Sequence, residues 1–358
     1  MPPGNITEMT ATSARPWRRG LDGVDPAKCG RSIGPASQHV QLGIWPVRSH
    51  FSGMSADQNQ HYLPQSYQRG WIDASGRPHV YRWAYNKLVC EPKATKSTGG
   101  RDGLYFIPMA PPGEQNTMEE AFWKKIDQWG ADGLALLRTN DPSAAARINK
   151  DRLATFVMSF LFRNPNKVKY FNAWAKESVL NGCLKDDYAK YRKPHEPATF
   201  EDFKVALEQP GMTELAAQCL RYQVENKSIR AKILKMEWQV VTVPTTSDPI
   251  LTSDVPIIIN GALNDDNGCL ILPLSTNEFF VAYNLGKIDM KKAISESVAT
   301  GRFVRSMNKY VIEHRIDYVY GLDDSLMKFV AQHWGISEAP YFPSLTMPPV
   351  LPVPQFNQ

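Results

Sequence analysis

MEWQVVTVP (236–244) begins the stretch of sequence that decides the fold. Short runs rich in β-branched and aromatic residues follow it, each bounded by Pro, Asn, Asp or Gly: PILTSD (249–254), PIIIN (256–260), CLILPLS (269–275) and EFFVAYN (278–284). Runs of this length, composition and punctuation are typical of strands joined by short turns. We therefore predict that residues 236–284 form a sheet.

The residues that precede this stretch have helical periodicity. Residues 117–138 place aromatic and aliphatic side chains on one face, and Thr117 with Glu120 has the spacing of a capping box. A second helix is predicted over 142–162, with Asp141 as its cap and proline at its first position. Further helices are predicted at about 166–181, 199–209 and 211–235.

Two earlier runs, RPHVYRWAY (77–85) and GLYFIPM (103–109), have strand character and must pair with distant strands. The alternating aromatics of the first run are expected to pack in the core. Helical patterns return at 295–315 and 324–334, on either side of a strand at 318–321. Because helices and strands are segregated along the chain, we predict an α+β fold. A helical middle region packs on a mixed, mainly antiparallel sheet, with a late C-terminal helical segment.

The two ends of the chain differ from this pattern in composition. Residues 1–53 are rich in Pro, Gly, Ser and Arg and lack periodicity, so they are either an irregular N-terminal arm or a mis-annotated start before Met54. Residues 337–358 contain many prolines and are expected to form an extended tail. The remaining residues, 54–336, are expected to fold as a single α+β domain.

Composition excludes several classes of protein. Of the 358 residues, 42% are hydrophobic, enough for a substantial core, yet no run of about 18 apolar residues predicts a membrane span. A net charge of +5 without clustering is no strong nucleic-acid signature. The five cysteines form no CxxC pair, and we expect free thiols in the cytoplasm. Neither a Rossmann nor a P-loop motif occurs. The sequence identifies no cofactor, metal or partner.

The most distinctive segment is QHYLPQSYQRGW (60–71). It resembles the opening His-Tyr-x-Pro-Gln-x-Tyr block of an uncharacterised, mainly bacterial family, domain of unknown function 4238. FLFRNP (160–165) resembles the Arg-x-Pro that closes a helix in that family, and LTSDVP (251–256) resembles its Thr-Ser-Asp-x-Pro turn. The resemblance spans about 60–320. It implies no established activity.

Three residues in these blocks are candidate catalytic groups. The imidazole of His61 is suited to general acid or base catalysis, and Asp254 is placed to orient it or to bind a metal. Arg163 is a candidate anion ligand at the end of a helix. Each residue also has a structural interpretation, in which His61 caps a turn, Asp254 forms an Asx turn and Arg163 contacts the terminal carbonyls of its helix.

Four further residues are candidates for substrate binding. Tyr62 and Gln65 lie in the first block, Ser253 lies in the Thr-Ser-Asp turn, and Glu120 lies in the first turn of the 117–138 helix. Ser253 is a poor nucleophile because no GxSxG elbow surrounds it. Glu120 has an alternative role as an ordinary first-turn acid favoured by the helix dipole.

Two functional classes remain open from the sequence. The first is a hydrolase or nuclease with a His/Asp/Arg site, in which His61, Asp254 and Arg163 converge and His61 forms a hydrogen bond with Asp254. The second is a non-catalytic binding or regulatory protein, possibly of a bacterial defence or stress module. In that case the three side chains lie apart, each satisfied by local partners.

Overall fold

In a computed structural model of the protein, the described residues are 59–335 without positions 140, 142, 144, 145, 267, 287 and 288. The predicted N-terminal arm (1–53) and Pro-rich tail (337–358) lie outside the described residues. Within them, helices and sheets occupy separate stretches of the chain, so the predicted α+β class is confirmed.

Capping side chains mark where several of the helices begin. Five helices in the middle of the chain start after an Asn or Thr whose side chain accepts a hydrogen bond from a first-turn backbone N–H. The α-helices are α1 Gln65–Gln68, α2 Lys124–Leu137, α3 Lys150–Phe162, α4 Pro165–Gly182, α5 Lys185–Tyr191, α6 Phe200–Leu207, α7 Glu214–Val224, α8 Lys227–Lys235, α9 Met290–Ala299, α10 Arg302–Glu313 and α11 Met327–His333.

The helix predicted from Thr117 begins differently from the expectation. A π-helical turn, Met118–Trp123, precedes α2, and the Thr117 side chain donates to the carbonyl of Glu114 instead of capping the helix. The predicted capping box is therefore wrong. The next helix, α3, begins at Lys150 with Asn149 as its cap, later than the predicted start at residue 142.

The described strands form three antiparallel sheets. The pair β1–β4 stands alone, a second sheet has the order β3-β2-β10-β6, and a third has the order β5-β9-β8-β7. The strands are β1 Asn59–His61, β2 His79–Ala84, β3 Lys87–Pro92, β4 Gly100–Asp102, β5 Glu237–Thr242, β6 Thr252–Ser253, β7 Ile258–Asn260, β8 Cys269–Pro273, β9 Glu278–Tyr283 and β10 Val319–Gly321.

Two expectations about the early strands fail. Residues 103–109 form turns rather than a strand, because Gly103 has a positive φ of 61° immediately after the short strand β4. The alternating aromatics of β2 are not all core residues: Tyr81 is buried, but Trp83 is 58% exposed and Tyr85 is 86% exposed. Moreover, β2 pairs with β10 and β3, and β6 pairs with β10, so residues 236–284 do not form one sheet as predicted: β6 belongs to the sheet of β2.

The third sheet is buried on both faces. Along β9, Phe280 belongs to a core that it shares with Phe156 of α3, whereas Phe279 belongs to a core shared with Val304 of α10. This alternation follows from the two-residue period of a strand. The middle helices and the late helices therefore cover opposite faces of the sheet. Tyr67 and Trp71 of the first block also lie in the core shared with α3.

Candidate functional site

The segment Gln60–Leu63 is fixed to several distant parts of the chain. The side-chain amide of Gln60 donates to Asn116 at 2.9 Å, and its side-chain carbonyl accepts from the backbone N–H of Tyr105. The backbone N–H groups of Tyr62 and Leu63 both donate to the carbonyl of Gly99 at 2.9 Å. The segment is thus held as a rigid frame around His61.

The imidazole of His61 is half-buried beside charged groups. Its Nε2 atom is buried and has no hydrogen-bond partner within the described part of the chain. Burial lowers the pKa of His61, and the positive charge of Arg163 lowers it further, while the backbone of Lys96 and the carboxylate of Asp127 act in the opposite direction. The ring is therefore neutral at pH 7.

Arg163 lies directly after α3 and is completely buried. Nη1 and Nη2 both donate to the carboxylate of Asp127, and Nη2 also donates to the backbone carbonyl of His61 at 2.6 Å. The guanidinium carbon lies 4.8 Å from the ring centre of Trp123. Because its charge is neutralised by Asp127 and its side chain is 0% exposed, Arg163 is a group that fixes its neighbours and is not open to a solvent-borne anion in this structure.

Glu119 lies within electrostatic range of Arg163 and Asp127, whereas the residue predicted from the sequence was its neighbour Glu120. Glu119 lies on the π-helical turn, half-buried, and its Oε2 atom is buried without a hydrogen-bond partner among the described residues. Burial raises the pKa of Glu119 to about 7, although the positive charge of Arg163 opposes the shift. Glu120 points elsewhere and forms an ion pair with Lys124, whose side chain is 61% exposed.

A signal for Glu119 was present in the sequence. Glu119 precedes Phe122, Trp123 and Ile126 by three, four and seven residues, which is the spacing of one helical face. Those three residues are buried, so an acid in register with them is drawn inward. The capping-box spacing, by contrast, favours Glu120, and the structure does not form that box.

Asp254 is buried in a different set of contacts. Its Oδ1 accepts from the backbone N–H of Ile316 at 2.7 Å, and Oδ2 accepts from Asp317 at 2.7 Å, from Tyr318 at 3.0 Å and from the hydroxyl of Tyr62 at 3.3 Å. Burial raises the pKa of Asp254 to about 6 even though these N–H groups favour the charged form.

The predicted hydrogen bond between His61 and Asp254 is not among the contacts of either residue in the described chain. Tyr62 provides the connection instead, since it follows His61 and its hydroxyl reaches the carboxylate. The hydroxyl of Ser253 bonds locally to the backbone of Val255, as expected of a turn. Gln65 accepts from the hydroxyl of Thr95 at 3.1 Å.

The structure thus brings together one group of the predicted residues and separates others from it. We call His61, Glu119, Asp127 and Arg163 the Arg163 cluster. His61 and Glu119 each lie within electrostatic range of Arg163 and Asp127. Asp254 and Tyr62 adjoin the cluster through the backbone of residues 61–62. Ser253 bonds to Val255, and the carboxylate of Glu120 pairs with Lys124, although its negative charge helps to raise the pKa of Glu119.

The chemistry available to the cluster is proton transfer. A carboxyl group with a pKa near 7 and an imidazole with a lowered pKa are the two kinds of group that acid–base catalysis requires. Across the described positions, no three His, Cys, Asp or Glu side chains are grouped so as to hold a metal ion. None of the described helices combines the length and the apolar character needed to cross a bilayer.

Comparison with known proteins identifies one family. Residues 59–325 match the model of a family described as "Protein of unknown function (DUF4238)". No curated protein matches the chain significantly, and no solved structure does. The matched region contains the first block, the Arg163 cluster and the Asp254 turn.

Proposed function

The chain belongs to the family of unknown function DUF4238, and we propose that it is a hydrolase in which Glu119 and His61 carry out the proton transfers. One observation carries the proposal. Nε2 of His61 and Oε2 of Glu119 are both buried without a hydrogen-bond partner in the described chain, beside the same Arg163–Asp127 ion pair. Unpaired buried polar atoms are costly, and they favour a site whose partner is a substrate or water.

The two groups have complementary protonation states at neutral pH. His61 is neutral, so Nε2 can accept a proton from water as the water oxygen attacks the substrate. With its pKa raised to about 7, Glu119 keeps a protonated population at neutral pH and can donate its proton to the leaving oxygen. The products are an acid and an alcohol, and one proton exchange resets both groups.

Arg163 and Asp254 are positioning residues in this proposal. Arg163 holds the carbonyl of His61 at 2.6 Å, and Asp254 holds the hydroxyl of Tyr62 at 3.3 Å. The imidazole therefore sits on a backbone that is anchored on both sides. Preorganisation of this kind keeps a reacting group in place without reorganisation during the reaction.

Exposed lysines favour an anionic substrate such as a phosphate ester. Hydrolysis of such esters includes a nuclease-like activity. Lys96 is exposed and its backbone faces the ring of His61. Lys124 is exposed and within electrostatic range of Glu119. Exposed cations raise the local concentration of anions and speed their association.

We also propose a cytoplasmic location, supported by the free thiols of Cys90, Cys183, Cys219 and Cys269.

The experiment is a hydrolysis assay with p-nitrophenyl phosphate, bis-p-nitrophenyl phosphate and single-stranded DNA. The wild type is compared with His61→Ala and with His314→Ala. His314 is the matched control, because burial also lowers its pKa but its Nδ1 contacts the carbonyl of Tyr310 at 2.7 Å. We expect turnover to fall by about 100-fold or more in the His61 variant only. Equal loss in both variants, or no hydrolysis by the wild type, contradicts the proposal.

A second candidate function is supported by the exposed aromatics of the β2–β3 hairpin. Trp83 and Tyr85 are 58% and 86% exposed, and large exposed aromatics are typical of binding surfaces. On this account the protein is a non-catalytic binding or regulatory protein, possibly of a bacterial defence or stress module. This alternative predicts that Trp83→Ala abolishes the effect that the wild-type protein has when it is expressed in cells. It also predicts that the purified wild-type protein hydrolyses none of the three substrates.

A further inference from the structure

The β2–β3 hairpin places a thiol beside an imidazole. In the ladder, Tyr81 pairs with Cys90 and His79 pairs with Pro92, so His79 and Cys90 are diagonal neighbours on one face. The Sγ atom of Cys90 lies 4.0 Å from Nδ1 of His79. Both residues are half-buried, so neither is sealed in the core.

A carboxylate fixes the other side of this imidazole. Nε2 of His79 lies 3.4 Å from Oδ2 of Asp73. Oδ1 of Asp73 is held in its turn by the backbone N–H of Ser75 at 2.8 Å, by the Ser75 hydroxyl at 2.6 Å and by the backbone N–H of Arg77 at 3.2 Å. The hydrogen bond from the Ser75 side chain is the main reason that the pKa of Asp73 is lowered, so the group is ionised at pH 7.

This arrangement determines which nitrogen carries the proton. The Asp73 carboxylate can only accept, so it favours the tautomer with hydrogen on Nε2. The lone pair of Nδ1 then faces the thiol of Cys90. We propose that Cys90, His79 and Asp73 form a nucleophilic thiol site that accepts an acyl group from an activated ester or thioester. This site shares no residue with the Arg163 cluster.

The resting thiol needs a base before it can react. Burial raises the pKa of Cys90 to about 12, so the group is a neutral thiol at pH 7. As sulfur attacks the acyl carbon, its proton moves to Nδ1 of His79. That proton is then transferred to the departing alcohol or thiol as the carbon–oxygen or carbon–sulfur bond breaks. The product is a thioester on Cys90, which water hydrolyses with His79 again as base.

The surroundings favour an acyl donor with an apolar part. Leu88 and Trp83 form the next cross-strand pair on the same face of the hairpin, towards its tip. The indole of Trp83 is 58% exposed, and it offers apolar contact area close to the thiol. Cys183 provides the internal comparison, because it is also half-buried. Each thiol lies 3.8 Å from a backbone carbonyl, that of Asp323 for Cys90 and that of Leu184 for Cys183, but of the two it is Cys90 that also contacts an imidazole.

The test is acylation of the full-length protein by p-nitrophenyl acetate, with each cysteine followed separately by peptide mapping and mass spectrometry. We expect Cys90 to be acylated faster than Cys183 by about 100-fold, the usual gain from a positioned base. His79→Ala should remove this advantage, and added imidazole should restore part of it. Restoration by imidazole separates loss of the base from loss of structure.

Asp73→Asn is the second variant. The asparagine keeps an oxygen for the turn, but its NH₂ group faces Nε2 of His79 and drives the ring proton to Nδ1, which then cannot accept from the thiol. We expect slower acylation of Cys90 and a changed ¹⁵N tautomer signature of His79. Equal rates at Cys90 and Cys183, or a Cys90 rate unchanged in both variants, overturn the proposal. His314→Ala, at a histidine outside both sites, should leave the rate at Cys90 unchanged. Because acylation is followed at Cys90 itself, the result is independent of the proposed hydrolase site.

Discussion

Arg163 donates a hydrogen bond of 2.6 Å to the backbone carbonyl of His61, across 102 residues of sequence. The contact joins the end of α3 to the His-Tyr-x-Pro-Gln-x-Tyr block near the start of the described chain. It also connects Asp127 to the same frame, because Asp127 is the acid that forms an ion pair with Arg163 in the described chain. Stability and the candidate chemistry therefore depend on the same side chains.

Asp127→Asn should destabilise the protein by roughly 3 kcal/mol, because it leaves the guanidinium of Arg163 buried without a counter-charge. The loss is at the lower end for a buried pair, since the Asp127 side chain is 26% exposed. Urea denaturation measures the free energy of unfolding. The control is Glu201→Gln, which removes an exposed ion pair with Lys204 and should cost less than about 0.5 kcal/mol. Equal effects of the two changes would refute this role of Asp127.

Glu119→Gln should change stability in a way that depends on pH. The pKa of Glu119 is raised in the folded state to about 7, above its unfolded value, so the folded protein binds the proton more tightly. The contribution of Glu119 to the free energy of unfolding therefore falls as the pH rises from about 4.5 to 7. The glutamine variant avoids that loss, so its stability relative to the wild type should rise by about 3 kcal/mol between pH 4 and pH 8, which is the shift from about 4.5 to about 7 at 1.36 kcal/mol per pKa unit. Thermal and urea unfolding at both pH values measure the gain; a difference that does not vary with pH contradicts the assignment.

Asp254→Asn should be destabilising by about 2–4 kcal/mol. The carboxylate accepts from three backbone N–H groups and from Tyr62, whereas an asparagine has one oxygen and turns its NH₂ group towards donors. Asp323→Asn is the control, because that carboxylate accepts exposed hydrogen bonds from Ser325. The account of this turn fails if the two variants unfold at the same urea concentration.

Asn86→Gly should stabilise the β2–β3 hairpin. Tyr85 and Asn86 both have positive φ, 53° and 57°, which is the geometry of a type I′ turn. Glycine adopts this conformation at lower cost, and the expected gain is about 0.5 kcal/mol. Lys87→Gly, one residue later within β3, should instead lower the melting temperature. Opposite signs for the two variants test the turn assignment.

The sequence predicted most of the third sheet and of the middle helices, because turn residues and periodicity determine them locally. It failed where tertiary contacts decide the conformation. Gly103 turns the chain where residues 103–109 were expected to be a strand, and the outer half of β2 extends beyond the core so that Trp83 is exposed.

The candidate site was predictable only in part for the same reason. The block at His61 and the end of α3 at Arg163 were both identified from the sequence, and the structure joins them. The position of Asp254 next to Tyr62 instead of His61 depends on which side of the backbone each side chain lies. The inward position of Glu119 agrees with its spacing to Phe122 and Trp123, but the π-helical turn that carries it was not predicted from the sequence.

The most direct test compares two adjacent and chemically identical changes, Glu119→Gln and Glu120→Gln. Each removes one carboxylate without changing side-chain shape, but only Glu119 has a buried oxygen without a hydrogen-bond partner in the described chain, whereas Glu120 pairs with exposed Lys124. The measurement is the rate of phosphate ester hydrolysis at pH 7. We predict a loss of about 100-fold or more for Glu119→Gln and wild-type activity for Glu120→Gln. Wild-type activity in the Glu119 variant contradicts the account.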